Sequence, residues 1–367
     1  MKHISVLIKP ASSLCNLRCK YCFYANVSSI REVRSYGKMK EETMRKMIEQ
    51  IFVDLEDGDH LTLAFQGGEP TLAGLTYYRQ LVSYVQAQEK RVVIHYAIQT
   101  NGIMLNDQWC QFLQQNKFLV GLSIDGSSYH HNLNRVDTKR QGTFQRVLAT
   151  KQRLDAYGVE YNILCVLTNQ LAKDCDKVFQ FIKENQIHYM QFIPCLEDLD
   201  AKARSNYGLT PKTFATFYQQ LINLWLSELE QGNYISIKLF DDLIQLLVTN
   251  QVTACGILGN CQVQYVIEAD GSVYPCDFYV LDEYRMGYIQ EQTLRELFEQ
   301  DASRKFLCEK RDLSDTCQAC PFLNTCRGGC KRMKDAVYVD ETGFCGYQQV
   351  LQVFLPKINR IMEAIHQ

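Results

Sequence analysis

Sixteen cysteines in a chain of 367 residues are the feature with the most chemical consequence. Three stand close together in Cys15-Asn16-Leu17-Arg18-Cys19-Lys20-Tyr21-Cys22, a C-x3-C-x2-C spacing. Three thiolates so spaced can hold three irons of a 4Fe-4S cube, and no fourth cysteine follows at short range, so one iron stays open. An open iron can bind a substrate or cofactor directly. A zinc site completed by a remote histidine is the competing reading, and the spacing suits the cube better. Eight more thiols, Cys255, Cys261, Cys276, Cys317, Cys320, Cys326, Cys330 and Cys345, lie toward the C-terminus. Eight divides into two complete sets of four. Full thiolate ligation suits electron-transfer clusters, yet C-x2-C pairs in a loop-rich region are also how structural zinc sites look. Spacing by itself leaves both open.

Other residues that could serve chemistry sit where strands end. Gln66-Gly67-Gly68-Glu69-Pro70 joins a glycine pair, which lets backbone approach a ligand closely, to an acid that could accept from an ammonium group. Gln99-Thr100-Asn101-Gly102 and Ser123-Ile124-Asp125-Gly126 occupy equivalent places after the next two strands. Read singly, each is more often only a turn. Asp277, beside Cys276, reads first as a loop-capping aspartate after a hairpin. Cys110, Cys165, Cys175, Cys195 and Cys308 lack a partner at ligand spacing, and buried free thiols are the expectation for them.

The elements that must position these groups follow from periodicity. Short β-branched runs at Ser5 to Lys9, Leu61 to Phe65, Val93 to Gln99, Phe118 to Ile124, Glu160 to Leu167 and His188 to Ile193 alternate with amphipathic stretches near 40–56, 74–89, 106–116, 142–157 and 173–185. That alternation predicts repeated βα units and a parallel sheet. Six repeats are too few for the usual closed barrel, so an α/β fold built as a partial (β/α)6 barrel is expected, with its site at the C-terminal strand ends. A long helix from Pro211, capped by Thr210, and a second near 240–249 follow. Asp270-Gly271 predicts a tight hairpin between 264–268 and 272–274. A cysteine-rich stretch and a last helix over 347–365 close the chain. The division expected is 1–230 for the barrel and 231–367 for a cysteine-rich module.

Composition excludes several classes of function. The formal net charge is -2 with 22% charged residues, interspersed in sign, so a nucleic-acid partner is not expected. The opening apolar run stops at Lys9-Pro10, too short for a signal-peptide core or a membrane span, and a cytoplasmic location without a membrane partner is expected. A reducing compartment turns so many cysteines toward metal or catalysis.

The C-x3-C-x2-C motif after the first strand, with Tyr21 inside it, resembles the radical S-adenosylmethionine enzymes. The cysteine-rich end is similar to the SPASM extension of radical enzymes that modify peptides. The wider likeness is to anaerobic sulfatase-maturating enzymes, carried by Ile8-Lys9-Pro10-Ala11-Ser12-Ser13, by the stretch from Phe65 to Gly74 and by that from Asp270 to Tyr279. The resemblance implies a site-specific S-adenosylmethionine cluster on Cys15, Cys19 and Cys22, whose electron generates a 5′-deoxyadenosyl radical. It implies two auxiliary 4Fe-4S clusters, one on Cys255, Cys261, Cys276 and Cys330 and one on Cys317, Cys320, Cys326 and Cys345. The span from Cys330 to Cys345 is somewhat short for the family. It implies cofactor contacts from Tyr21, Gly68, Glu69, Ser123, Arg135 and Leu196, with Tyr24 a further pocket residue. The implied reaction oxidises a cysteine or serine of a sulfatase precursor to Cα-formylglycine, with Asp277 as proton acceptor and an external donor such as flavodoxin or ferredoxin supplying electrons. A maturase of a ribosomal peptide is the neighbouring alternative, and a non-catalytic iron-sulfur or zinc protein the alternative of another class.

Overall fold

The structure is a computed structural model that describes residues 1–309 and 312–366, so that Lys310, Arg311 and Gln367 lie outside the described residues. Its strands are β1 (His3–Ile8), β2 (His60–Phe65), β3 (Val93–Thr100), β4 (Phe118–Ser123), β5 (Tyr161–Leu167), β6 (Tyr189–Pro194), β7 (Ser236–Ile237), β8 (Val266–Ile267), β9 (Ser272–Tyr274) and β10 (Gly287–Tyr288). The first six fall where the alternation of apolar runs predicts them. The chain forms two compact units, one of Met1–Ser123, Val136–Tyr161 and Gln262–Glu309, the other of Ile124–Arg135, Asn162–Cys261 and Lys310–Gln367.

In the first unit β1 to β4 run parallel and in sequence order, with His3 opposite His60, His60 opposite Val93 and Tyr96 opposite Phe118. Side chains alternate across a strand. One face therefore carries Val6, Ile8, Leu61, Leu63, Phe65, Ile98, Val120 and Leu122, all fully buried, and the other carries Ser5, Thr62, Ala64, Ala97 and Gln99. The apolar face is covered by helices whose own apolar residues recur at spacings of three and four. Helix Glu41–Val53 buries Met44, Met47, Ile48 and Ile51, and helix Leu75–Gln86 buries Tyr78, Leu81, Val82 and Val85. The Asp270-Gly271 turn does form a hairpin: β8 and β9 pair antiparallel, β10 adds to β9, and β8 joins β1 in parallel. A segment remote in sequence thus adds to the sheet beside the first strand and brings Cys276 and Asp277 toward its end.

In the second unit β6 pairs in parallel with β5 and β7. Helix Pro211–Leu229 begins at a reciprocal Thr210–Thr213 cap and buries Phe217, Leu221 and Trp225, the last donating from Nε1 to the Ile235 carbonyl at 2.8 Å. One expectation is corrected here. The single closing helix is broken into Gly346–Phe354 and Ile358–Ile365 by a tight turn at Leu355-Pro356-Lys357, where proline lacks the N–H an α-helix needs. Helix Lys238–Ile244 runs into a wider π turn over Gln245–Thr249. Among the described residues, no helix is long and apolar enough to cross a membrane.

Candidate functional site

The loop leaving β1 carries the three clustered cysteines, all half-buried, and ends where Cys22 opens the helix Phe23–Ile30. Its path is fixed by backbone contacts. The Leu17 N–H points at Cys15 Sγ at 3.4 Å, the Arg18 N–H reaches the Val136 carbonyl at 2.7 Å, and the Arg18 guanidinium returns to the Cys15 carbonyl at 2.8 Å. Burial, with smaller contributions from the charges of Glu69 and Cys22, pushes the Cys15 thiol up to about 11 against the Leu17 N–H that lowers it. A thiolate here therefore needs a cation close by, which bound iron supplies. Donor type, spacing and the N–H aimed at sulfur fit an iron-sulfur cluster.

The glycine pair serves this loop. A Cβ on Gly68 would lie 2.1 Å from the Leu14 carbonyl oxygen, and one on Gly67 would meet the Lys9 stem at 3.0 Å. The Gly68 N–H donates to the Ser12 carbonyl at 2.8 Å and the Glu69 N–H to Leu14 at 2.7 Å. The close approach read from the sequence is thus made by the cysteine loop itself. Glu69 is buried, and burial raises its pKa. Its carboxylate accepts from the hydroxyls of Thr71 and Thr100, at 2.6 and 2.7 Å, and from the Asn101 N–H at 2.8 Å. Asn101 in turn donates to Asn16 Oδ1 at 2.8 Å. The motifs after β2 and β3 and the cysteine loop therefore form one hydrogen-bonded cluster, a role for Thr100 and Asn101 that strand-end position hinted at. Tyr21 is buried beside this loop, Gly68 and Ser123 are half-buried at strand ends.

Asp277 lies in the same unit, in a tight turn that follows β9 and Cys276. Lys9 Nζ stands 2.5 Å from its Oδ1, Gln66 Nε2 donates to its Oδ2 at 2.7 Å, and its N–H donates to Gln264 Oε1 at 3.3 Å. This is more than a capping aspartate has. The hold of Lys9 and Gln66 on Asp277 was missed in the sequence; the available signal was a lysine ending an apolar strand beside a proline. Tyr24 is buried and donates to Glu268.

The second unit holds the remaining candidates. Arg135 is buried, not a solvated surface charge, and its Nε donates to Asp125 Oδ2 at 3.0 Å while Asp125 Oδ1 accepts from the Val166 N–H at 3.0 Å. Leu196 is buried just after β6. Cys317, Cys320, Cys326 and Cys345 line one pocket walled by Phe322, Leu323, Tyr338, Tyr347 and Leu351. The short Cys330–Cys345 span still brings Cys345 into it. Burial, followed by the neighbouring charges of Cys326, Cys317 and Cys320, pushes the Cys345 thiol up to about 11, with the Gln348 N–H opposing. An apolar pocket ringed by four thiols fits a buried cube. The loop of Cys255 and Cys261 lies on the Cys326–Cys330 turn, since a Cβ on Gly256 would come within 2.9 Å of Cys330 Cβ and one on Gly259 within 2.7 Å of the Cys326 carbonyl. Of the other thiols, Cys110, Cys165, Cys175 and Cys195 are buried as expected. Cys308 is not: it ends the helix Asp301–Cys308 on its exposed side, away from buried Phe306.

Comparison with known proteins agrees with this arrangement. Residues 10–182 match the Radical SAM superfamily, and residues 255–321 match an iron-sulfur cluster-binding domain, SPASM. Fold and thiols together define the class, an α/β radical S-adenosylmethionine protein with a second, cluster-binding domain. A cysteine-type anaerobic sulfatase-maturating enzyme of Clostridium novyi is 41% identical over 94% of this chain and 93% of its own. A serine-type anaerobic sulfatase-maturating enzyme of Bacteroides thetaiotaomicron is 28% identical over 97% of this chain and 90% of its own. A solved structure of native anSMEcpe with bound AdoMet and a Cp18Cys peptide superimposes with a TM-score of 0.90 at 38% identity, covering 99% of both chains. The chain belongs to the family of anaerobic sulfatase-maturating enzymes.

Proposed function

We propose that this protein oxidises a cysteine in a peptide segment of a sulfatase precursor to Cα-formylglycine. The observation that carries the reading is the near end-to-end likeness to cysteine-type enzymes at 41% identity, against 28% for the serine-type relative. Cys15, Cys19 and Cys22 would hold the cluster that binds S-adenosylmethionine, and the C-terminal thiols two further 4Fe-4S clusters in the sets of four that the family pattern implies. Tyr21, Gly68, Glu69, Ser123, Arg135 and Leu196 are the cofactor contacts that the family pattern implies. In functional terms 1–230 is the radical domain and 231–367 the cluster-bearing module. When bound, these groups supply a hydrogen-abstracting radical and an electron acceptor.

The chain's own residues supply the rest. Once a hydrogen atom has left the cysteine Cβ, the thiol S–H would break, its proton passing to an Asp277 oxygen and one electron to the acceptor, as a C=S bond forms; water then adds at that carbon and hydrogen sulfide leaves, giving the aldehyde. Asp277 suits this role because its carboxylate is oriented and nearly enclosed, with 12% of its side chain accessible, so little reorganisation accompanies the transfer. An external one-electron donor of the flavodoxin or ferredoxin type completes the cycle, in the cytoplasm. Mass spectrometry of sulfatase-motif peptides after anaerobic turnover tests the reading. The cysteine peptide is expected to lose mass as formylglycine forms, faster than the serine peptide; a crosslinked or epimerised peptide instead would assign the protein to another modification.

A further inference from the structure

Lys9 lies in the sequence stretch that ties the chain to its family, yet nothing in the reaction as described employs it. Its side chain is 0% accessible, and lysine is almost never fully buried unless paired. The ammonium has two partners. It contacts Asp277 Oδ1 at 2.5 Å and stands 3.8 Å from the centroid of the Tyr24 ring, whose face attracts a cation. Tyr24 is fixed in turn, because its hydroxyl donates to Glu268, and Glu268 pairs with Arg31 at 2.7 Å with both side chains fully buried. On the far side of Asp277, Gln66 holds Oδ2 at 2.7 Å. The channel for the Lys9 stem exists because residue 67 is glycine: a Cβ there would meet Lys9 Cγ at 3.0 Å.

Stability does not explain this construction. Desolvating two charges commonly offsets their attraction, and a packed apolar pair of similar volume holds a core as well or better. A two-sided grip on a carboxylate does something an apolar pair cannot, which is to fix the plane of the group while leaving each oxygen a lone pair. We propose that Lys9 is a positioning residue: anchored on the Tyr24 ring, it acts with Gln66 to lock the Asp277 carboxylate in the orientation that accepts the substrate thiol's proton. The proposal rests on Asp277 being that acceptor.

The test compares Lys9→Met, Lys9→Arg, Asp277→Asn and the double variant K9M/D277N as full-length, anaerobically reconstituted proteins with a cysteine-containing sulfatase-motif peptide. Formylglycine and 5′-deoxyadenosine are both quantified. Lys9→Met is expected to lower kcat for formylglycine by about tenfold or more with the peptide KM within about twofold, and to lower the ratio of formylglycine to 5′-deoxyadenosine by the same factor. Lys9→Arg restores most of that ratio, and adding K9M to D277N costs nothing further, because residues acting as one unit are not additive. A wild-type ratio in Lys9→Met overturns the proposal, as does a parallel fall of both products, which marks a structural role only. If Lys9→Met does not keep its irons, Gln66→Leu carries the test, since it removes the second hold without stranding a charge; an unchanged ratio there overturns the two-sided grip. Should Asp277→Asn itself keep a wild-type ratio, the acceptor assignment fails first, whereas loss in Asp277→Asn with no loss in Lys9→Met removes the Lys9 proposal alone.

Discussion

Cys15, Asp277 and His131 show how differently burial acts on single groups. For the Asp277 carboxylate, partners are built in as Lys9 and Gln66, whereas burial pushes the Cys15 thiol up and leaves its thiolate to a bound cation. For His131 burial dominates: its ring is fully buried, Nδ1 accepts the Asp125 N–H at 3.3 Å, and burial brings its pKa down to about 4, with Asp125 opposing and Arg135 adding to the fall. The folded protein therefore keeps this histidine neutral at a pH where the unfolded chain, near about 6.5, takes up a proton. Since the unfolded state then binds more protons, stability is complete above about 6.5 and declines as pH falls toward about 4, by on the order of 3 kcal/mol in total. NMR titration of the His131 ring should show it neutral at pH 5; protonation near 6.5 would contradict the buried, N–H-bonded state. The same imidazole holds the turn of Asp125, and Asp125 holds Arg135, so acid weakens a proposed cofactor contact along with the fold.

The elements were largely legible because their signals are local. Strand runs and helical spacings predicted β1 to β6 and the five longer helices between them, though not the short helices Phe23–Ile30 and Ser128–Asn134, and Asp270-Gly271 predicted its hairpin. What local signals do not carry is pairing between distant segments. Nothing in the period of residues 266–274 says that β8 lies on β1, yet that pairing puts Asp277 against Lys9 and Gln66. For the same reason the cysteines could be found from spacing, and Gln66, Asn101 and Asp125 from their strand-end motifs, while the grip of Lys9 and Gln66 on Asp277 and the bond from Asn101 to Asn16 could not: each joins segments far apart in sequence. The glycine pair after β2 was legible as a place of close approach, but not what approaches. Gly68→Ala tests that element. The new methyl would meet the Leu14 carbonyl at 2.1 Å, a backbone atom with no freedom to yield. A loss of about 1–3 kcal/mol is expected, and with the cysteine loop displaced, iron should fall from about twelve per chain toward about eight. Full iron content in Gly68→Ala would show that the loop does not depend on this contact.

At the scale of the whole molecule, the eleven thiols at ligand spacing would divide, by the family pattern, into one set of three and two of four, and the proposed function rests on that inequality. Sets of four would leave no corner free and so suit electron flow, whereas a set of three would leave one iron open to the cofactor. The most direct measurement is the release of 5′-deoxyadenosine from S-adenosylmethionine by anaerobically reconstituted, reduced protein, set beside its Cys15→Ala, Cys19→Ala and Cys22→Ala variants. The native protein is expected to release it, and each variant to lose that release while keeping about eight irons. Native protein that holds about twelve irons yet leaves the sulfonium intact, or variants that cleave it as well as the native protein does, would contradict the account.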